Sequence, residues 1–183
     1  MELIKNISQT KIIKSVFAII LGSIALTISA KIKIPFYPVP MTMQTFVVLF
    51  LGISLGYKIG LASVGLYLLE GVLGLPVFSN SPEKGIGIVY FTGPTMGYLI
   101  GFLTASYLAS KINNKDSFLI VLTKLIIATS TIYMLGLLWL GTLIGCDKPI
   151  FVLGAKPFLL AEVFKILILA LITKKIIKIR NFI

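Results

Sequence analysis

The sequence predicts an all-α membrane protein, a bundle of six transmembrane helices with both termini on the cytoplasmic side. Three observations predict it. Of the 183 residues, 57% are hydrophobic and 13% charged, against about 45–50% and about 25% in soluble domains. The mean hydropathy is +1.04, and the apolar residues gather into runs close to the roughly 20 residues that cross a hydrocarbon core. The lysines and arginines lie between these runs rather than in one patch. Six spans must pack on one another, so residues 1–183 form a single domain.

The runs cover residues 15–30, 41–55, 60–75, 94–110, 118–144 and 157–173. Pro94 suits a first helical position, where its missing N–H is not needed, and Pro157 starts the last span. Orientation follows the basic residues. Lys5, Lys11, Lys14, Lys58, Lys111, Lys115, Lys174, Lys175, Lys178 and Arg180 fall on one side, and Lys124 snorkels toward it. Lys31, Lys33, Lys84, Lys148 and Lys156 fall on the other. Eleven against five makes the first side cytoplasmic and leaves Lys165 inside a span. The net charge of +11 is therefore loop charge at a lipid bilayer, not a nucleic-acid surface.

Several chemistries are excluded. There is no histidine, which removes His-based acid–base catalysis, a Ser–His hydrolase and most metal sites. One cysteine, Cys146, permits no intrachain disulfide. No phosphate-binding loop of the G-x-x-x-x-G-K-[ST] kind is present, so the chain does not use ATP by that route. The opening "MELIKNISQTKIIK" has no apolar stretch ending in a small-residue cleavage site, and no removable signal peptide is expected. The reading is a binding or transport protein rather than an enzyme.

Small residues mark two close-packing faces. Ser15, Ala18, Gly22, Ala25 and Ser29 recur at steps of three and four down the first span; Gly93, Gly97, Gly101 and Ala105 recur every fourth residue at the fourth. Such stripes let backbones approach within a membrane. For the first span, spacing leaves open packing within the chain or docking of another membrane subunit. In "PVPMTMQT", Thr42 and Thr45 share a face with Gln44 beside them; they sit at the interface or line an external pocket. The outer segment 76–93, "PVFSNSPEKGIGIVYFTG", is long enough to be a lid over such a pocket or a mobile connector. Glu70, near the outer end of the third span, is a weaker candidate.

The sharpest signal is "LLAEVFKILILAL". Counted from Pro157 at 1.5 Å per residue, Glu162 lies roughly 7–8 Å and Lys165 roughly 12 Å into the span. Residues three apart share a helical face, and ionisable side chains within a membrane usually face the bundle interior or a watery cavity and mark function. One acceptor and one cation, opening outward among aromatic residues, suit a small amphiphile with donors at one end and an anion at the other. The alternative is a self-neutralising ion pair that orients the helix.

Four segments, "PVPMTMQT", "GLYLLEGVLGLPVF", "GPTMGYLIGF" and "PFLLAEVFKILILAL", resemble in order and spacing the signature segments of the BioY family, covering residues 35–171. BioY proteins are the biotin-binding S-components of energy-coupling factor (ECF) vitamin transporters. The resemblance implies a six-helix bundle in the bacterial cytoplasmic membrane with an external biotin pocket. It also implies a transmembrane coupling subunit and two cytoplasmic ATPases as partners, and a toppling motion for release. No cofactor is implied, biotin being cargo. By resemblance, Ala18, Gly22, Ala25 and Ser29 belong to the surface that docks on the coupling subunit. Glu162 and Lys165 match an acidic-x-x-Lys motif that contacts biotin, with glutamate where the family usually has aspartate. Biotin's ureido N–H groups suit the Glu162 carboxylate; which end of biotin Lys165 serves is left open. Phe36, Phe91, Tyr98 and Trp139 are expected as apolar walls, Thr42 and Gln44 as polar lining, and Asn80 as a partner of the ureido group. Within transport, the alternative is a solitary carrier that works without the ATPases; a membrane scaffold would leave the buried charges unexplained.

Overall fold

The computed structural model describes residues 2–182, with side chains from Lys11 onward. The first helix, α1, spans Glu2–Lys31. It starts well before the expected residue 15 because residues 2–14 hold no glycine or proline and are rich in good helix formers. Its Ile13, Phe17 and Ile28 side chains are exposed, as lipid-facing residues are, and its other face packs on the next helix.

Two short strands follow, β1 (Lys33–Ile34) and β2 (Met41–Thr42), antiparallel with Lys33 opposite Thr42 and Ile34 opposite Met41. Pairing at Met41 and Thr42 delays the second span, so α2 runs Gln44–Val72. Its backbone breaks at Gly56 (φ 74°, ψ −178°), a conformation open essentially to glycine alone. Residues 44–55 and 57–72 are consequently two antiparallel arms. The Gln44 side-chain amide donates to Tyr67 Oη at 2.7 Å, whereas a straight helix at 1.5 Å per residue would part them by roughly 35 Å. The connection between the runs 41–55 and 60–75 is this one glycine.

Residues 87–92 form a 3-10 turn, Gly87–Thr92. Helix α3 covers Met96–Ser110 and α4 Phe118–Ile144. Pro94 lies in the turn before α3, not at its first helical position. The α3 glycines are packing residues, as their spacing predicts. A Cβ on Gly97 would lie 2.3 Å from the Leu135 carbonyl oxygen, and one on Gly101 2.7 Å from the Ile132 Cα. A short α5 (Ile150–Gly154) and the 3-10 turn Lys156–Phe158, which holds Pro157, lead into α6 (Leu159–Ile176). Six helical segments result, one for each expected span: α1, the two arms of α2, α3, α4 and α6. Taken as continuous helices, Lys11–Lys31, α2 and α4 are long and apolar enough to cross a membrane, with α3 shorter.

The core lies between the α2 arms, α3, α4 and α6, around Leu49, Ile53, Tyr67, Leu125, Ile132 and Leu169. One end is closed by Arg180 from the last 3-10 turn, Ile177–Asn181. Its Nε donates to Ile53 O at 2.6 Å, Nη1 to Ile112 O at 3.2 Å, and Nη2 to Gly52 O at 3.1 Å and Ser110 O at 3.0 Å. These carbonyls end the first α2 arm and α3, where no intrahelical donor remains. The candidate site lies at the opposite end.

Candidate functional site

Glu162 and Lys165 stand in the first two turns of α6, on its inward face, 4% and 7% exposed. Helical spacing of three brings them together: Lys165 Nζ donates to Glu162 Oε1 at 2.9 Å. The same ammonium donates to Thr42 O at 2.6 Å and Thr45 Oγ1 at 3.0 Å, and Thr45 Oγ1 donates to Glu162 Oε1 at 2.9 Å. The lysine's three donors are all used, and so is one carboxylate oxygen. The other, Glu162 Oε2, is buried with no hydrogen-bond partner among the described residues. A desolvated carboxylate oxygen without a donor is costly.

Glu162 forms part of the wall of a narrow cavity of about 50 Å³. The hairpin contributes Val39, Met41 and Thr42, the start of α2 Gln44 and Thr45, and the outer segment Phe78, Ser79 and Tyr90. Tyr98, Leu99 and Phe102 come from α3, Tyr133 from α4, and Phe158 from the turn before α6. The lining is mostly apolar and aromatic with a few converging polar groups, the usual make-up of a small-molecule site. Two glycines shape the α3 wall: a Cβ on Gly136 would meet the Tyr98 ring at 2.4 Å, and one on Gly154 would meet Tyr98 Oη at 2.5 Å. The Tyr98 hydroxyl donates to Gly154 O at 2.8 Å, so the ring, not the hydroxyl, is offered to the cavity. Gln44 is held by Tyr67 and by the Thr42 hydroxyl, which donates to Gln44 Oε1 at 3.3 Å.

Of the residues expected at the site, Glu162, Tyr98, Thr42 and Gln44 line this cavity, and Lys165 lies directly behind Glu162. Four do not line it. Phe36 packs edge-on against Phe158 at 5.7 Å, and Phe91 edge-on against Phe78 at 5.4 Å, so each braces a wall ring from behind. Trp139 is displaced because its indole N–H donates to Gly93 O at 2.9 Å, on the far side of Gly97. Asn80 points away: its Oδ1 accepts from Lys33 Nζ at 3.1 Å, and it borders a small neighbouring recess with Lys84 and Thr95. Glu70 is outside the cavity as well, accepting from Ser23 Oγ on α1.

The α1 stripe divides. A Cβ on Gly22 would meet Ser63 Oγ at 2.5 Å, and Ser29 is buried with its hydroxyl on Leu26 O. Both make packing contacts within the chain; Ser29 does not border the groove on the other side of the stripe, whereas Gly22 does. Ala18 and Ala25, with Gly22 at its floor, line an open apolar groove between α1 and the first α2 arm.

The aromatic wall residues that sequence reasoning did not place are Phe78, Tyr90, Tyr133 and Phe158. Phe158 had a usable signal, four residues before Glu162 on the same helical face. Tyr133 had none, since only the α3–α4 crossing turns it inward.

Comparisons with known proteins bear on the fold and the family. A crystal structure of the S-component for biotin from an ECF-type ABC transporter superposes with a TM-score of 0.76, covering 92% of this chain and 93% of that one at 23% identity, which establishes a shared fold. A probable biotin transporter BioY of Pyrococcus horikoshii is 37% identical over 143 residues, 78% of this chain and 83% of the relative. The biotin transporter BioY of Thermotoga maritima is 34% identical over 154 residues, 84% and 89% of the two chains. The model of the BioY family matches residues 4–182, and the chain belongs to the BioY family.

Proposed function

We propose that this chain binds biotin in the cavity beside Glu162 and acts as the substrate-specific subunit of an ECF-type transporter. The observation that carries the reading is the unpartnered, buried Oε2 of Glu162, a residue of the cavity wall. A ureido N–H is a donor suited to it, and a charge-assisted hydrogen bond away from water is of the strong kind. The aromatic and apolar walls suit the thiophane ring and the hydrocarbon chain. The relatives are named as biotin transporters, which supports binding and transport over catalysis. The cavity, with room for a few waters, must widen to admit a bicyclic ligand, and the outer segment with Phe78 and Ser79 is the wall able to move.

The charge rule supports an external cavity, with the basic end around Lys58, Lys111 and Arg180 in the cytoplasm. The coupling subunit and two ATPases then complete the transporter. The test is a titration of purified protein with biotin, followed by calorimetry: saturable binding at or below micromolar ligand is expected, and no heat or shift at that concentration overturns the assignment.

A further inference from the structure

The cavity wall at Phe78 and Ser79 belongs to a stretch of turns, not to a helix, yet its backbone is held at consecutive residues by two ammonium groups. Lys31 Nζ donates to Phe78 O at 2.8 Å and to Ser81 O at 2.9 Å. Lys33 Nζ donates to Ser79 O at 2.6 Å and to Asn80 Oδ1 at 3.1 Å. Every residue from 78 to 81 thus gives one oxygen to a lysine two residues from the other. Charge pairing does not explain the arrangement. The acid near Lys33 is Glu83, 3.9 Å away with a side chain 72% exposed, a pair of little worth in water. Hydrogen bonds from a charged donor to carbonyls are the stronger contact, and Lys31 at the end of α1 also suits the negative end of the helix dipole.

The segment that carries them, residues 31–33, also reaches the opposite wall. Ile32 O accepts the Met43 amide at 3.2 Å, and Lys33 pairs with Thr42 across the hairpin, whose carbonyl holds Lys165. Residues 31–33 therefore tie the outer end of α1 to both walls of the cavity.

We propose that Lys31 and Lys33 are positioning residues: they pin the 78–81 wall in its enclosing shape and so set how long the ligand stays. For the identity of its ligand this rests on the biotin reading; the pinning itself does not. A shift in the outer end of α1 is transmitted to both walls at once, and α1 is also the helix whose Ala18 and Ala25 border the open groove.

The test combines hydrogen exchange of ligand-free protein with the biotin dissociation rate. In Lys31→Met/Lys33→Met, which keeps the apolar stems and removes the charges, exchange should rise at the amides of Asn80, Ser81 and Lys84. These amides bond to Tyr90 Oη, Phe78 O and Asn80 O. Dissociation should quicken roughly tenfold, as loss of charged hydrogen bonds acts mainly on the off-rate. Lys31→Arg/Lys33→Arg, whose guanidinium groups still donate to carbonyls, should recover much of both. If the double variant does not fold, Lys33→Met alone should show the same changes at about threefold, since only its own two bonds are lost. Exchange and dissociation within twofold of wild type overturn the proposal. Slower association with unchanged dissociation also overturns it, assigning the lysines to steering of an anion. Exchange needs no ligand, so raised exchange in a chain that binds no biotin upholds the pinning and ends only the biotin reading.

Discussion

Glu162 has two unequal oxygens. Oε1 accepts from Thr45 and Lys165, while Oε2 has no donor among the described residues, in a side chain 4% exposed. The fold therefore neutralises the charge without satisfying the whole carboxylate, and a ligand N–H completes it. Glu162→Gln keeps the size and loses the charge; biotin binding should weaken by about 1.5–3 kcal/mol, the worth of a charged hydrogen bond. Lys165→Met should act differently. It leaves a buried carboxylate without its cation, a loss of about 3–5 kcal/mol, so thermal stability should fall along with binding. Calorimetric titration and melting of both variants check the pair, and wild-type affinity in both variants would return Glu162 and Lys165 to a purely structural ion pair. The extra methylene of glutamate does not part the pair, since Oε1 still reaches Lys165 at 2.9 Å.

At the scale of elements, glycine spacing means close backbone approach, and the partner differs from helix to helix. On α3, Gly97 and Gly101 sit against the α4 backbone at Leu135 and Ile132, where neither side can yield. Gly97→Ala should cost about 1–3 kcal/mol by overpacking, seen as a lower melting temperature. Gly65 in the second α2 arm has nothing within 4 Å of its Cβ position, so Gly65→Ala should leave melting unchanged or raise it slightly. Equal losses in the two variants would mean that the cost is not specific to the α3–α4 contact. On α1 a similar spacing belongs partly to packing on α2, as Gly22 against Ser63 shows. Spacing identifies a face but not what lies across it.

At the scale of the molecule, two ends are built differently. One end carries the cavity, the hairpin and the lysines that hold the outer wall. The other carries Arg180, whose four carbonyl bonds lock the ends of two spans. Burial lowers the affinity of this guanidinium for its proton, though a group this basic keeps its charge. Between the ends, Ala18 and Ala25 border an open apolar groove, which we propose as the surface for a partner helix. Ala18→Trp should impair biotin uptake in cells while sparing biotin binding by the purified chain; uptake at the wild-type rate would remove this groove from the docking surface. Gly22→Trp is a poorer probe, because its side chain would strike Ser63 and disturb α1 itself.

The amino-acid sequence alone determined the number of spans, the segregation of charge and the buried pair on α6. These follow from hydropathy and from the 3.6-residue period, which act along the chain. It also determined the family, through four ordered segments. Tertiary structure decided which aromatic rings face the ligand. Trp139 and Phe91 are as apolar as Tyr133 and Phe158, and only the helix crossings and the turn at residues 93–95 turn one pair outward and the other in. Tertiary structure likewise decided that Thr45 completes the Glu162–Lys165 pair from 117 residues away in sequence, and that Lys31 and Lys33, read from the chain as loop charge, hold the cavity wall. A hydrogen bond between distant segments leaves no period in the sequence, because it depends on where the two segments are brought rather than on how either is spaced.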